Sequence, residues 1–420
     1  MAVVICGLVA LSAAGGPAAA TNRDDLLRKA SHLSGLPVRR VVPQKLLPGA
    51  RYDAALLRAA DREYPQSLRS IDTAVYARLG LMPRSLRASL TGDAHSSRAW
   101  YDPSARRLLL RRTPTAQKAW VVNELVRALV DQNFNLRRIA PLRVRDRDRA
   151  LAAKSIVAGT AALASGVSAA PVRDAPLDRF LQLDAGLAAG KTLATELRYL
   201  GGSRALESAL RLFPQTTEQL LHVDKFLERE SALPIRLPTR IGDWKLSASE
   251  TFGELDILSL LRTFYVPNAL AAAEGWGGGR VALYVSPMGE TTAALALRWD
   301  TIDDAEEWRV AVTGYIRTAF PGATARDCPP LDRCWSGSWD VASGVLGSAS
   351  VLASGLGSDT IAAALYAAEV TLDSRLRVAR RPWAGGGVQC FFSRGSVTGG
   401  RRSHEFSVPQ RGDLSKIGPS

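Results

Sequence analysis

The period of the hydrophobic pattern changes near residue 240, and this change constrains the fold more than any other feature. Up to that point apolar residues recur at intervals of three and four, as in "DAALLRAADREYPQSLRSIDTAVYARLGLM" at 53–82, which is the spacing of one helix face. Beyond it, "VALYVSP" and "TAALALRWD" are typical of strands, and "DDAEEWRVAVTGYIRTAF" is typical of a capped amphipathic helix. We therefore predict an α+β fold, with a mainly helical N-terminal region followed by a smaller α+β region that contains a short antiparallel sheet.

We predict four parts in the chain, two of them folded regions. It has 420 residues, of which 46% are hydrophobic and 22% are charged, a balance typical of globular proteins, and its length corresponds to about two domains. We predict a signal peptide at 1–20, a mainly helical domain at 21–240, a smaller α+β region at 241–370 and a basic Gly/Arg-rich tail at 371–420. We interpret "PTRIGDWKLSASE", at 238–250, as the linker between the two folded regions.

The N-terminal segment "AVVICGLVALSAAGGPAAATNRDD" has the pattern of a secretory signal peptide. An apolar stretch precedes the small residues Ala18, Ala19 and Ala20, which form a small-x-small cleavage site. The pattern predicts export, and therefore a secreted or cell-envelope protein with no stable membrane span after cleavage. Because a positively charged start is missing, an uncleaved anchor is the alternative, although the apolar run is short for a membrane span.

The cysteines fit an exported protein. Cys6 lies in the predicted signal peptide, whereas Cys328 and Cys334 lie six residues apart in "CPPLDRC". This spacing predicts a short-loop disulfide in an oxidising compartment. Cys390 then has no partner, and no Cys-x-x-Cys pair indicates a metal or redox site.

Positive charge is concentrated in the C-terminal tail. The net charge of the chain is +14, and about half of the excess follows Ser374, in a segment rich in Gly, Ser and Arg. The tail is interpreted either as a disordered segment, which its composition favours, or as a basic arm for polyanions and acidic envelope surfaces. Aromatic residues that would stack on bases are sparse among its basic residues. We therefore predict no nucleic-acid partner.

The segment "WVVNELVRALVDQNFNL", at 120–136, has the spacing of a metalloprotease helix without its metal ligands. In His-Glu-x-x-His, two histidines one turn apart bind zinc, and the glutamate between them polarises the zinc-bound water. Here Asn123 and Arg127 stand at the histidine positions, and Glu124 is retained. An amide oxygen is a weak ligand, and a guanidinium is a permanent cation with no lone pair to donate.

Several segments together make the chain from about Asp24 to Leu365 resemble a family of exported bacterial zinc-metallopeptidase-like proteins, gluzincin-like in their zinc helix. "AWYDPSARRLLLRR" resembles a Tyr-Asp-Pro hairpin before the zinc helix, and "NELVRALVDQNFNL" resembles His-Glu-Leu-x-His-Ala-Leu-x-Asp-Gln-His-Phe-Asp-Leu. "IVAGTAAL" is similar to a Glu-Gly-Asp-Ala segment that supplies a third ligand. "FPQTTEQLLHVDKFL" is similar to Pro-x-Ser-Thr-Glu-Gln-x-Leu-His-Pro-x-Lys-Tyr. The resemblance implies a metallopeptidase-like fold for the helical region.

The departures from this family decide the expected chemistry. The resemblance implies that Asn123, Arg127 and Ala158 occupy the three zinc-ligand positions, and none of these side chains is a good zinc ligand. The histidines His32, His95, His222 and His404 are not spaced to rebuild a metal cluster. We therefore expect a degenerate site with no zinc and no other cofactor.

Two of the retained residues have both a functional and a structural interpretation. Glu124 either pairs with Arg127 as a replacement for the metal's charge or forms an ordinary i,i+3 ion pair, which we favour. His222 either approaches a substrate or is a turn residue.

Two glycine-containing segments resemble ligand-binding loops. "AGLAAGKT", at 185–192, satisfies a relaxed phosphate-loop pattern but lacks the first glycine, and "GWGGGR", at 275–280, is either a ligand loop or a turn before a strand.

These observations lead to one functional hypothesis and two alternatives. The first is a non-catalytic binding or scaffold protein that holds a peptide or an envelope protein in the retained cleft. The second is an active metal-dependent peptidase with non-standard ligands, in which His222 or His95 would approach Glu124. The third is a decaying gene, which predicts a poorly folded chain.

Overall fold

The computed structural model describes residues 17–81, 98–112, 118–168 and 175–379, and side chains within these ranges from 24 to 369 except that of Asp184. Most of the predicted signal peptide, His95 and the tail that carries Cys390 and His404 lie outside the described residues.

The N-terminal part of the chain is mainly helical. Its helices are α1 (Pro17–Ser34), α2 (Gly49–Glu63), α3 (Gln66–Arg78), α4 (Lys118–Phe134), α5 (Leu142–Arg145), α6 (Arg147–Ser165), α7 (Pro176–Asp184), α8 (Leu187–Leu212), α9 (Thr217–Leu221) and α10 (Val223–Glu228). A short 3-10 turn follows α4 at Leu136–Arg138. The strands β1 (Gln44–Leu47), β2 (Ala99–Asp102) and β3 (Arg107–Arg111) form a small sheet in the order β1-β3-β2.

The C-terminal part is built on an antiparallel sheet of eight strands. They are β4 (Arg240–Ile241), β5 (Trp244–Thr251), β6 (Trp276–Val285), β7 (Thr291–Trp299), β8 (Thr324–Arg326), β9 (Arg333–Ser336), β10 (Val341–Leu346) and β11 (Ala349–Gly355). Their order is β4-β5-β6-β7-β11-β10-β9-β8. The helices are α11 (Glu254–Thr263), α12 (Ile302–Ala319) and α13 (Ser358–Ala379). The predicted α+β class, with a helical first part and an antiparallel sheet after it, is confirmed.

Two local predictions near the sheet are wrong. The segment at 238–250, interpreted as a linker, contains β4 and most of β5 at one end of the sheet. Its side chains are largely polar and half-exposed, because β4 is an edge strand that covers only Trp244 and Lys245 of β5, so the segment lacks the apolar signal of an inner strand. The glycine run at 275–280 is not a turn before a strand, because β6 already begins at Trp276.

The two faces of the large sheet are both covered. On one face, Trp299 and Trp308 pack together with residues of α3, α7, α11 and α12 in the largest core cluster. On the other face, Ile361 and Leu365 of α13 pack against Tyr284 of β6. Because α3 and α7 precede residue 240, the core extends across the predicted boundary, and the described residues up to Ser374 form one compact unit.

A separate core holds the helices of the N-terminal part together. Leu125 and Leu129 of α4 pack with Ile156 of α6 and Leu193 and Leu197 of α8. The helix α6 begins at a favourable N-cap, where the carboxylate of Asp146 accepts a hydrogen bond from the backbone N–H of Arg149. None of the described helices is both long and apolar enough to cross a membrane.

Candidate functional site

The helix α4 places Glu124 against the β2–β3 hairpin rather than in open space. Its Oε2 accepts a hydrogen bond from the backbone N–H of Tyr101 at 2.8 Å, and its Oε1 accepts one from Nη1 of Arg127 at 3.3 Å. The Glu124 side chain is only 7% exposed. Both carboxylate oxygens are therefore occupied, and the residue links α4 to the hairpin. The predicted i,i+3 pair is present, but the bond to Tyr101 was not predicted.

Replacing Glu124 with alanine is expected to lower the free energy of unfolding by about 2 kcal/mol, because the buried N–H of Tyr101 loses its acceptor. Urea denaturation followed by circular dichroism measures the change. Glu124→Gln is the matched control, since it keeps an acceptor for Tyr101 and removes only the charge. It is expected to cost less than half as much, and equal losses in the two variants would contradict the hydrogen-bond explanation.

None of the three implied ligand positions fits a metal. The amide Nδ2 of Asn123 donates to Oγ of Ser165 at 3.1 Å, and that hydroxyl donates to the backbone oxygen of Ala161 at 2.8 Å. Asn123 thus ties α4 to the C-terminal end of α6 as a donor. Ala158, half-buried on α6, has no ligand atom in its side chain. Because Arg127 is a permanent cation, the three positions together offer no zinc-binding set.

Arg127 and Ala158 nevertheless line the same cavity, which has a volume of about 510 Å³. We call it the α4 cavity, since it lies beside α4, between α6, the 3-10 turn and the hairpin turn. Its charged lining residues are Arg127, Arg137, Lys154 and Glu63, and its apolar lining residues include Leu136, Ile139 and Val157. Lys154 pairs with Glu63 at 3.2 Å. The Nε of Arg127 is buried and makes no hydrogen bond. The cavity therefore combines an excess of positive charge with an apolar wall.

The motif that contains His222 connects the helical part with the residues around the large sheet. We call this set of contacts, made by residues 216–225 with Asp148, Glu254 and Asp300, the joint. At the start of the motif, the Thr216 hydroxyl caps α9 by accepting from the backbone N–H of Gln219 at 3.1 Å. The backbone N–H and the hydroxyl of Thr217 both donate to the buried carboxylate of Asp148, at 2.9 and 2.6 Å. That hydroxyl also accepts from the N–H of Leu255 at 3.1 Å. Thr217 therefore connects α6, α9 and α11.

His222 contacts a buried carboxylate rather than a cleft. Its Nε2 lies 2.8 Å from Oε1 of Glu254, which is fully buried in the first turn of α11. The hydrogen bond to Glu254 raises the pKa of His222, while burial opposes this. Burial in turn raises the pKa of Glu254, although His222 opposes the shift. This geometry fits the interpretation of His222 as a turn residue. His222 is not among the hydrogen-bond partners of Glu124, which are Tyr101 and Arg127.

Lys225 completes the joint. Among the described residues, one group of metal-ligating side chains has atoms within 4.8 Å of one another, and it consists of Glu218, Glu230 and Asp300. The Nζ of Lys225 donates to Glu218, and it lies 2.6 Å from Oδ2 of Asp300 and 3.5 Å from Oε1 of Glu230. An ammonium group thus stands where these carboxylates would hold a cation. Glu124 and His222 do not belong to this group.

Two further sequence features have structural explanations. Cys328 and Cys334 form a disulfide, joining the segment after β8 to β9. The phosphate-loop-like segment at 185–192 follows the helix α7 rather than a strand and continues into α8. Because a phosphate loop connects a strand to a helix, this segment lacks the context that the motif requires.

The comparisons with known proteins concern the large sheet, not the α4 cavity. Residues 240–372 match the family model described as Domain of unknown function (DUF8575). No curated protein and no solved structure matches the sequence significantly. The matched segment begins with β4 and ends within α13, and it covers about a third of the chain. The resemblance of the α4 region to zinc metallopeptidases therefore stays a prediction.

Proposed function

We propose that this protein is a secreted or envelope protein that binds peptides without cleaving them, and that the α4 cavity receives an acidic side chain of the bound peptide. The observation that carries the proposal is Arg127. It stands where the resemblance implies a zinc ligand, it lines the α4 cavity, and its buried Nε has no hydrogen-bond partner. Its Nη1 pairs with Glu124, but the side chain is 31% exposed, and a planar guanidinium is suited to bind a second carboxylate.

The rest of the α4 cavity supports a ligand that is both acidic and apolar. Arg137 and Lys154 add positive charge, and Glu63 offsets only part of it. Leu136, Ile139 and Val157 provide an apolar wall. Ligand sites have volumes of roughly 300–1,000 Å³ and combine apolar walls with a few polar groups. A volume of about 510 Å³ is enough for two or three residues of a peptide.

The state of Glu124 supports binding without cleavage. A general base must be reached by the water that it deprotonates, but the Glu124 side chain is only 7% exposed, and its Oε2 accepts from Tyr101 while its Oε1 accepts from Arg127. The neighbouring guanidinium also disfavours a divalent cation at this place. The alternative, an active metal-dependent peptidase, requires ligands recruited close to Glu124. Of the two histidines considered for this role, His222 is the one within the described residues, and it contacts Glu254 instead.

The test is a binding titration with an acidic peptide. A fluorescein-labelled Leu-Asp-Leu-Glu peptide is titrated with the full chain by fluorescence anisotropy, in parallel with its amide counterpart Leu-Asn-Leu-Gln. We expect Arg127→Met to weaken binding of the acidic peptide at least about tenfold and to leave the weaker binding of the amide peptide unchanged. Arg262→Met, at an exposed arginine of α11, is the matched control and is expected to bind like the original protein.

Two outcomes would contradict the proposal. One is equal affinity of Arg127→Met and the original protein for the acidic peptide. The other is stoichiometric zinc, measured by elemental analysis after dialysis without chelator, together with hydrolysis of the peptide. We expect less than about a tenth of an equivalent of zinc, because metal binding needs several deprotonated ligands that converge on one point.

A further inference from the structure

A second pocket borders the 3-10 turn and shares no lining residue with the α4 cavity, and four arginines line it. We call it the arginine pocket. Its volume is about 280 Å³, and its charged lining residues are Arg40, Arg106, Arg138, Arg211 and Asp131. The lining therefore contains four arginines and one aspartate. This surplus of positive charge is not in the C-terminal tail that sequence composition singles out.

Asp131 offsets only part of the positive charge of the pocket. It is almost completely buried, and its two oxygens accept hydrogen bonds from the hydroxyl of Tyr101 at 2.7 Å and the backbone N–H of Leu136 at 2.8 Å. Nη2 of Arg40 and Nε of Arg106 each lie 3.9 Å from Oδ2 of Asp131, a distance that allows an ion pair but is too long for a hydrogen bond. Neither guanidinium makes a hydrogen bond to another described residue, and Nε of Arg106 is buried without a partner.

The backbone of Arg40 and that of Arg106 are ordered before any ligand binds. Gln132 fixes the backbone of Arg40, donating to its carbonyl oxygen at 2.9 Å and accepting from its N–H at 3.1 Å. Arg106 lies at the tip of the β2–β3 hairpin with a φ of 49°. Such preorganisation lowers the entropy that binding would otherwise cost.

The other two arginines are held by aromatic rings and by carbonyl groups. The guanidinium of Arg138 stacks over Phe213 at 4.0 Å and donates to the backbone oxygens of Leu210 and Arg211. Arg211 stacks over Phe134 at 5.6 Å. Burial lowers the pKa of Arg138, and the nearby charges of Arg149 and Arg211 lower it further. Among the described residues, Asp131 is the one acidic residue that lines the pocket beside four arginines, so the protein compensates the positive charge there only in part.

We propose that the arginine pocket binds the phosphate group of a phosphomonoester. A phosphate dianion has three terminal oxygens and a charge between −1.5 and −2 near neutral pH, which fits donors arriving from several directions better than a flat, singly charged carboxylate does. Arg40 and Arg106 contribute guanidinium donors that make no hydrogen bond to a described residue, and Arg138 and Arg211 contribute the surrounding positive potential. The site is separate from the α4 cavity, so the proposal does not depend on the peptide-binding function.

The test is isothermal titration of the full chain with inorganic phosphate, with chloride as the comparison at equal ionic strength. We expect saturable phosphate binding that Arg40→Gln and Arg106→Asn each weaken at least about tenfold. Asparagine is chosen at residue 106 because it tolerates a positive φ. Arg262→Gln, on α11, is the control and is expected to bind phosphate like the original chain.

Two further titrations distinguish the sources of the phosphate group. Glycerol phosphate represents a free metabolite, and vesicles that contain phosphatidic acid represent a lipid headgroup. Whichever source binds, its binding is expected to depend on Arg40 and Arg106. The proposal is overturned if phosphate produces no more heat than chloride, or if Arg40→Gln and Arg106→Asn, shown by circular dichroism to be folded, bind phosphate as tightly as the original chain.

Discussion

Replacing Gly190 with alanine is expected to lower the free energy of unfolding by about 3 kcal/mol, because α6 and α8 touch through their backbones at this point. A Cβ at Gly190 would lie 1.9 Å from the backbone oxygen of Ser155, and a Cβ at the facing Gly159 would lie 2.0 Å from the backbone carbon of Gly190. No side chain can rotate to relieve these contacts, so the two helices have to separate. The cavity that this opens adds to the loss.

The expected loss of stability in Gly190→Ala is opposite to the effect that helix propensity alone would produce. An alanine inside a helix is normally more favourable than a glycine by up to about 1 kcal/mol. Gly314→Ala in α12 is the matched control, since its Cβ would make an ordinary contact at 3.7 Å with Cγ1 of Val266. It is expected to leave stability unchanged or raise it. Urea denaturation measures both variants, and a stabilised Gly190→Ala would contradict the close approach of α6 and α8.

Raising the pH from 5 to 8 is expected to destabilise the protein, and Asp148→Asn is expected to remove a large part of this dependence. Burial raises the pKa of Asp148 to about 8, from its usual 3.8, and the nearby Asp256 adds to the shift. Between these two values the folded protein keeps a proton on Asp148 that the unfolded chain has released. The free energy of unfolding therefore falls as the pH rises through this window, by on the order of 3 kcal/mol for this residue.

Other groups in the joint act in the same direction. Burial raises the pKa of Glu218 to about 7, although Lys225 opposes this shift. The pKa of His222 is raised by Glu254, so the stability that its protonated form contributes at low pH is lost as the pH rises through the folded-state pKa. We therefore expect Asp148→Asn to reduce the pH dependence without abolishing it.

The measurement is the free energy of unfolding from urea denaturation at several pH values between 5 and 8. The carboxamide oxygen that Asp148→Asn introduces would still accept the N–H of Thr217, so this variant mimics the protonated acid. Asp303→Asn, at an exposed position of α12, is the control, and it is expected to keep the pH dependence of the original chain. An unchanged slope in Asp148→Asn would contradict a folded-state proton at this residue.

The partners of the site residues show where sequence reasoning reached its limit. The spacing of Glu124 and Arg127 was enough to predict their ion pair, because both lie on one helix. Their common cavity with Ala158 followed only from how α4 and α6 pack. The partner of His222 could not be predicted. No sequence signal pairs His222 with Glu254, because they are separated by 32 positions.

The arginine pocket shows that the sequence alone did not predict where positive charge gathers in the folded protein. Composition drew attention to the tail, where basic residues are adjacent in the sequence. The four arginines of the pocket come from four separate segments and assemble only when α4, the hairpin and α8 pack together. Their partner Asp131 was visible in the motif around α4, but its two hydrogen bonds to Tyr101 and Leu136 depend on that packing.

By itself the sequence determined the α+β class, the helix that carries Glu124 and the lack of good zinc-ligand side chains at Asn123, Arg127 and Ala158, because periodicity and side-chain chemistry are local properties. Only the tertiary structure decided which groups are buried together: Tyr101 with Glu124 across 23 positions, and Thr217 with Asp148 across 69. Burial and hydrogen-bond partners depend on residues far apart in the chain. For that reason the joint, the α4 cavity and the arginine pocket became visible only in the folded protein.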